Sequence, residues 1–194
     1  VMLGVVLAIL AGFLFVSSDT VVKLARQDLP VAMVVWGRFT AHFLLMLFLF
    51  PGRKINKLFK VNNFKLVIFR GILLLLCTCL FFTAIGYIGL AEANSIMFIS
   101  PFFVVALSIP LLKEKVGIRR WSAVIIGFIG IVIILRPGFQ EIHWAYFLII
   151  GVAFFFALFT ILTRTLSFTE TAISMWFYTA LVGMVSSSTI VWYY

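Results

Sequence analysis

The chain has 194 residues, 64% hydrophobic and 11% charged, with a formal net charge of +9 and a mean hydropathy of +1.24. Soluble domains carry about a quarter charged residues, so this composition excludes a soluble fold. It also argues against nucleic-acid binding: the basic residues lie in short segments between apolar runs, the pattern that orients membrane proteins, and no basic patch interleaves with aromatics on a polar face.

The runs are long enough to cross a ~30 Å hydrocarbon core as helices, and too long for barrel strands. The first is expected over about Met2–Arg26, with a polar outer half of Ser17, Ser18, Asp19, Thr20 and Lys23 in place of a small-residue cleavage site, so no cleavable signal peptide is expected. The second, about Val31–Phe50, follows Pro30 and carries Arg38 and His42. A basic loop, Pro51–Asn63, with Arg53, Lys54, Lys57 and Lys60, precedes a third span over about Phe64–Ile88. Its Cys77 and Cys79 fall on different helix faces and read as small packing residues rather than a metal pair or disulfide. The fourth and fifth spans, Ser95–Leu112 and Trp121–Leu135, flank an elbow with Lys113, Lys115, Arg119 and Arg120 against Glu114; the fifth crosses only with its flanks. The sixth is expected over Trp144–Leu162, ending at Arg164, and the seventh over Ala172–Tyr194. The chain begins at Val1 and stops at Tyr194 beside an apolar run, which reads as part of a longer protein.

Of the 15 Lys and Arg, eleven fall on the side of the 51–65 loop and the elbow, and three (Lys23, Arg26, Arg136) on the other. That bias places the N-terminus and both basic loops in the cytoplasm. Laying Gly12–Lys23 over Ala153–Arg164 also brings Val35–Trp36 onto Trp176–Phe177. A repeat that restarts at the sixth span has five spans, an odd number, so its second copy must be inverted, as in many secondary transporters.

The motif order resembles the drug/metabolite transporter superfamily, specifically its EamA-type ten-helix members. The residues that carry the likeness are Ser18-Asp19 with Lys23, Trp36-Gly37-Arg38-Phe39, Arg70-Gly71, Leu90-Ala91-Glu92-Ala93, Ser100-Pro101, Leu112-Lys113-Glu114-Lys115, Gly127-Phe128-Ile129-Gly130 and Arg136-Pro137-Gly138. Among bacterial members the chain is also similar to S-adenosylmethionine-uptake-like carriers. The resemblance implies an all-α polytopic membrane protein, an EamA-like bundle of two inverted five-helix repeats with about seven of ten spans present. Residues 1–138 would be the first repeat and 144–194 the start of the second.

Charges inside a span usually line a cavity or pair with each other. Asp19 and Arg38 fall roughly 16 and 12 Å from the outer face on consecutive antiparallel helices, counted at 1.5 Å per residue, so an ion pair between them is open. It would either lock two helices or face a cavity, with Arg38 taking an anionic substrate group and Asp19 a cation or proton; Lys23, one turn away, could compete for Asp19. His42, one turn below Arg38, is a relay candidate or a packed histidine. Arg70 reads as a headgroup anchor or a gate at the inner vestibule, and Glu92 and Glu114 as members of helix-end or loop ion pairs. Ser100-Pro101 should kink the fourth span near mid-membrane and free a carbonyl one turn earlier, a cavity marker or a purely geometric bend. Asn94 and Ser95 are candidate caps, and Gly127 and Gly130 a packing face. Trp144, Trp192, Tyr193 and Tyr194 suit the membrane interface. Phe81, Phe82, Trp176 and Tyr178 lie deeper, where they either pack or line a pocket for a planar substrate; the Trp176 N–H and Tyr178 O–H need partners.

The expected function is a secondary transporter moving a small metabolite (an amino acid or derivative, a nucleoside-like or other small polar solute) across a bacterial inner membrane by alternating access. No nucleotide-binding P-loop is present, which leaves solute or ion gradients as the energy source. Partners are then a small-molecule substrate and the bilayer, with a homodimer also admitted; no cofactor, metal or nucleic acid is called for. A membrane enzyme lacks its usual groups here, with one mid-span Asp and no H-E-x-x-H. A retinal protein would need a lysine in its seventh helix, and 172–194 holds none. A seven-helix receptor conflicts with a cytoplasmic N-terminus; a structural membrane protein without transport activity is the other reading.

Overall fold

A computed structural model describes residues 2–49, 61–113, 116–135 and 143–192. Its elements are all helices: α1 (Met2–Asp28), α2 (Val31–Leu49), α3 (Phe64–Ala84), α4 (Leu90–Met97), α5 (Ser100–Leu112), α6 (Ile118–Leu135), α7 (Ala145–Leu166) and α8 (Ala172–Val191). The all-α membrane bundle expected from the sequence is the fold observed. Among the described residues, six segments are long and apolar enough to cross a membrane, with α4 and α5 together forming one of them, Leu90–Leu112. The fifth expected span is helical as α6, and the flanks with which it is expected to cross, 114–115 and 136–142, lie outside the described residues. Arg53, Lys54, Lys57, Lys60, Glu114, Lys115, Arg136-Pro137-Gly138, Tyr193 and Tyr194 lie outside the described residues.

Why these helices assemble is visible in their buried stripes. On α2, Val35, Phe39 and Met46 recur at helical spacing and face α8. On α7, Ala145, Val152, Ala153, Ala157 and Ile161 form a row of mostly small residues that lets it lie along α3 and α5. Lipid tails are as apolar as leucine, so close packing and hydrogen bonds, not hydrophobicity, hold such helices together. Large apolar residues accordingly remain on the outside, among them Ile9, Phe13 and Phe147. Two glycines allow the closest approaches. A Cβ on Gly183 would overlap the Phe39 ring, and one on Gly71 would press on Val182 of α8 at 3.2 Å.

Polar contacts complete the frame. Arg70 of α3 donates from Nε to Thr163 Oγ1 (2.7 Å) on α7, and from Nη1 to Thr179 Oγ1 (2.8 Å) and the Met175 carbonyl (3.3 Å) on α8. Its guanidinium also lies 4.3 Å from the centre of the Phe159 ring. The headgroup and gate readings of Arg70 are thus replaced by a helix-joining role, because every group it meets belongs to α7 or α8. Glu170, buried in the α7–α8 turn, accepts the Asn62 and Asn63 backbone N–H groups (2.8 Å each) ahead of α3, supplying acceptors to an N-terminus that lacks a side-chain cap of its own. On the opposite side Glu92 accepts from Gly89 N (3.4 Å) and Tyr146 Oη (3.3 Å), a hydrogen-bonded link in place of the expected ion pair. Tyr87, His143 and Trp144 cluster nearby, with Tyr87 and Trp144 largely exposed, as suits a membrane interface.

Substitutions at Gly183 and Arg70, each with a control, test this frame by thermal unfolding in detergent. Gly183→Val should cost about 1–3 kcal/mol by forcing α2 off α8, while Gly12→Ala, in open space, should be silent. Arg70→Met should cost about 2–4 kcal/mol, and Arg70→Lys should recover less than half because an ammonium cannot fork to both threonines.

Candidate functional site

The break between α4 and α5 shapes the site. Pro101 has no N–H to give to the Met97 carbonyl four residues earlier, and the chain turns there with tight bonds, Phe98 N to Ser95 O (3.3 Å) and Ile99 N to Ile96 O (2.9 Å). The result is two helices rather than the single kinked one expected. Their junction borders a cavity of about 490 Å³, within the ~300–1,000 Å³ span of small-molecule sites.

α1 contributes Phe15 and Asp19 to the lining, α2 Arg38, α3 Cys77, Thr78 and Phe81, the α4–α5 segment Asn94, Met97, Phe98, Ser100 and Pro101, and α7 Val152 and Phe156. Most of this wall is apolar. Two charges interrupt it. Asp19 is 2% exposed, and its Oδ2 is buried without a hydrogen-bond partner. Arg38 stands across α1 with its guanidinium 5.8 Å from the Phe15 ring and 5.2 Å from the buried Phe82 ring, cation–π distances, and it is within electrostatic range of Asp19. The direct Asp19–Arg38 ion pair that the sequence left open is not formed.

Of the sequence-derived candidates, Asp19, Arg38 and Ser100 come together on this cavity, and Lys23, His42, Trp176 and Tyr178 do not. Lys23 Nζ donates to the Ile88 carbonyl (3.0 Å) instead of competing for Asp19. With Arg26, which bonds the Phe82 and Leu29 carbonyls (3.2 and 2.9 Å), it fastens the end of α1 to the C-terminal end of α3, where positive charge is favoured. The two line a separate polar recess of about 560 Å³. His42 is half-buried, edge-on to Phe39 at 6.3 Å. Tyr178 is buried with Met46, Val67 and Met175 in a second apolar cluster, against which Trp176 packs.

Sequence reasoning missed Asn94 as a lining residue, placing it at a helix cap; it sits within α4, so its amide is free of backbone duty and borders the cavity. Its position seven residues before Pro101, two helical turns along the same span, was the available signal. Phe81, expected either to pack or to line a pocket, lines the cavity, and so does Cys77, which donates its thiol to the Val152 carbonyl at 3.7 Å.

A buried carboxylate without a partner costs stability when ionised, so Asp19→Asn, close in shape and uncharged, should leave the melting temperature in detergent unchanged or raise it. A fall of more than ~1 kcal/mol would mean that Asp19 holds the fold together.

Comparisons with known proteins agree with this architecture. A pseudopaline exporter of Pseudomonas aeruginosa is 28% identical over 191 residues, 97% of this chain and 66% of the exporter. A riboflavin transporter of Vibrio cholerae is 28% identical over 167 residues, 84% of this chain and 56% of its own length. An S-adenosylmethionine uptake transporter of Rickettsia bellii is 31% identical over 120 residues, 62% of this chain and 41% of its own. The chain thus spans about two thirds or less of these relatives, all of them named as transporters or exporters rather than enzymes. No solved structure matches. Residues 2–136 match the EamA-like transporter family, and with its apolar helices the chain is an integral membrane protein belonging to that family.

Proposed function

We propose that the chain is part of a secondary transporter that carries a small metabolite across a bacterial cytoplasmic membrane, with the α1–α5/α7 cavity as its substrate site. The observation that carries this reading is a cavity of metabolite size, bordered by apolar helices, on whose lining Asp19 is buried with its Oδ2 lacking a hydrogen-bond partner. Ionisable groups at such depth are costly and are retained where they bind or relay. The relatives' names support a small-molecule cargo in general and differ from one another in what that cargo is.

Residues 1–138 form one inverted-repeat unit in this proposal and 144–194 open the second. The packing of α7 and α8 on α2, α3 and α5 supports a site made between the two units. The positive-inside bias supports an N-terminus in the cytoplasm. Rocking of one unit against the other would then expose the cavity to each side in turn.

Reconstitution of the full chain into liposomes tests the proposal. Riboflavin, S-adenosylmethionine and the amino acids are each assayed by counterflow, and at least one is expected to exchange. Asn94→Trp, which places an indole in the cavity, should cut that exchange at least tenfold without lowering the melting temperature. Flux no greater than in protein-free liposomes for every solute would overturn the reading.

A further inference from the structure

We propose that the polar recess between the end of α1 and the α3–α4 turn is a phosphate-binding site, the phosphate held between the Lys23 ammonium and the Arg26 guanidinium. It shares no lining residue with the α1–α5/α7 cavity and does not depend on the transporter reading.

The recess, about 560 Å³, is lined from α1 by Lys23, Arg26 and Gln27, and from the turn by residues that include Gly86, Tyr87 and Gly89. Lys23 and Arg26 are three apart on α1, so they leave the helix from one face. Carbonyls hold both in place: Ile88 for Lys23 Nζ (3.0 Å), Phe82 for Arg26 Nε (3.2 Å) and Leu29 for Arg26 Nη1 (2.9 Å). Gly86 leaves the guanidinium its room, since a Cβ there would come 2.9 Å from Nη2. These bonds use one of the three Lys23 donors and two of the five on Arg26, and among the described residues neither cation forms an ion pair. Two carboxylates lie near in sequence, and neither is part of the lining. Glu92 accepts from Gly89 N and Tyr146 Oη, and Asp28 is exposed.

Fastening α1 does not account for the charge. A neutral glutamine amide also donates to a carbonyl, and it would not place positive charge on the side that the Lys and Arg bias leaves poor. Lys23 and Arg26 are two of the three basic residues there. What an amide lacks is attraction for an anion. The C-terminal end of α3 presents roughly half a negative charge, and two full positive charges outweigh it.

The donor set selects phosphate among anions. A carboxylate is matched by the guanidinium fork alone and leaves the ammonium unanswered, whereas phosphate offers oxygens to a fork and a point charge together. The level in the membrane fits as well. Tyr87, in the recess wall, packs on Trp144 with ring centres 4.8 Å apart, and both are largely exposed, as aromatics at the headgroup level are. Basic pockets between helices at that level take lipid phosphates. A lipid headgroup and a soluble phosphoester present the same group to these two side chains.

Equilibrium binding of radiolabelled phosphatidylglycerol and of radiolabelled glycerol 3-phosphate to the purified full chain, delipidated in neutral detergent, tests the assignment. Diacylglycerol, which lacks the phosphate, serves as competitor. At least one labelled probe should bind saturably, and diacylglycerol should compete at least tenfold more weakly. Lys23→Gln and Arg26→Gln together, which keep donors for the carbonyls, should weaken binding at least tenfold. Lys113→Gln and Arg119→Gln, on the basic elbow, should leave it within twofold. Should the recess variant misfold, amide hydrogen exchange on the unaltered chain decides: the bound probe should protect 85–89 and not 116–119. Binding of the lipid alone assigns a headgroup, and binding of glycerol 3-phosphate assigns a soluble phosphoester; either supports the site. Binding of neither probe, diacylglycerol as tight as phosphatidylglycerol, a folded recess variant that binds like the original, or protection at 116–119 in place of 85–89 would overturn it.

Discussion

The Arg70 guanidinium is the joint on which the bundle depends. In lipid, helices gain nothing from hiding apolar surface from one another, so a junction of three helices needs either close backbone approach or polar bonds. Arg70 supplies both with its neighbour: it reaches threonines on α7 and α8, while Gly71 lets α3 come against Val182. The two threonines remain satisfied in either role, since each also donates its hydroxyl to a carbonyl one turn back, Thr163 to Phe159 and Thr179 to Met175. The same joint supports the cavity. Phe159 lies under the guanidinium and stacks on Phe156 at 5.8 Å, and Phe156 is part of the cavity wall.

Three ionisable side chains within the spans can be ranked by how fully the protein answers them. Arg70 has three acceptors and a ring. Arg38 has two rings and no hydrogen-bond acceptor among the described residues. Asp19 has an oxygen with no partner at all. A purely structural bundle would be expected to satisfy each buried charge internally, because an unpaired one costs several kcal/mol. Satisfaction instead falls off toward the cavity. That gradient separates the residue that joins the helices from the two that border the cavity.

The helices and an interruption at Pro101 were legible in the sequence because each follows from local rules, run length and a missing N–H. Asp19 and Arg38 were legible for the same reason, as charges where lipid tolerates few. What escaped depends on which helices become neighbours. Nothing local told that Arg70 would turn into the bundle rather than toward headgroups; that follows from threonines on α7 and α8 more than ninety residues later. The burial of Tyr178 likewise follows from α8 being flanked by both α2 and α3, which turns inward a face that a peripheral helix would show to lipid. Glu170 was invisible because the atoms it bonds are backbone N–H groups, which no sequence pattern marks.

The two charges on the cavity ride on helices held very differently. α2 is fixed to α8 by the Phe39 ring at Gly183 and by the Trp36 indole N–H donating to Ser188 Oγ at 3.0 Å. α1 is fastened chiefly at one end, through Lys23 and Arg26, and only 12% of its apolar span is buried against 44% of α8. Ser17 and Thr20, polar residues beside Asp19, return their hydroxyls to their own helix at Phe13 and Val16 and so add no tie to a neighbour. Arg38 is therefore a fixed point of the cavity, set by the same packing that sets the bundle. Asp19 owes its place to the end clamp of a long helix. The spacing between the two charges therefore depends on contacts at the carbonyls of Phe82 and Ile88, away from the cavity itself.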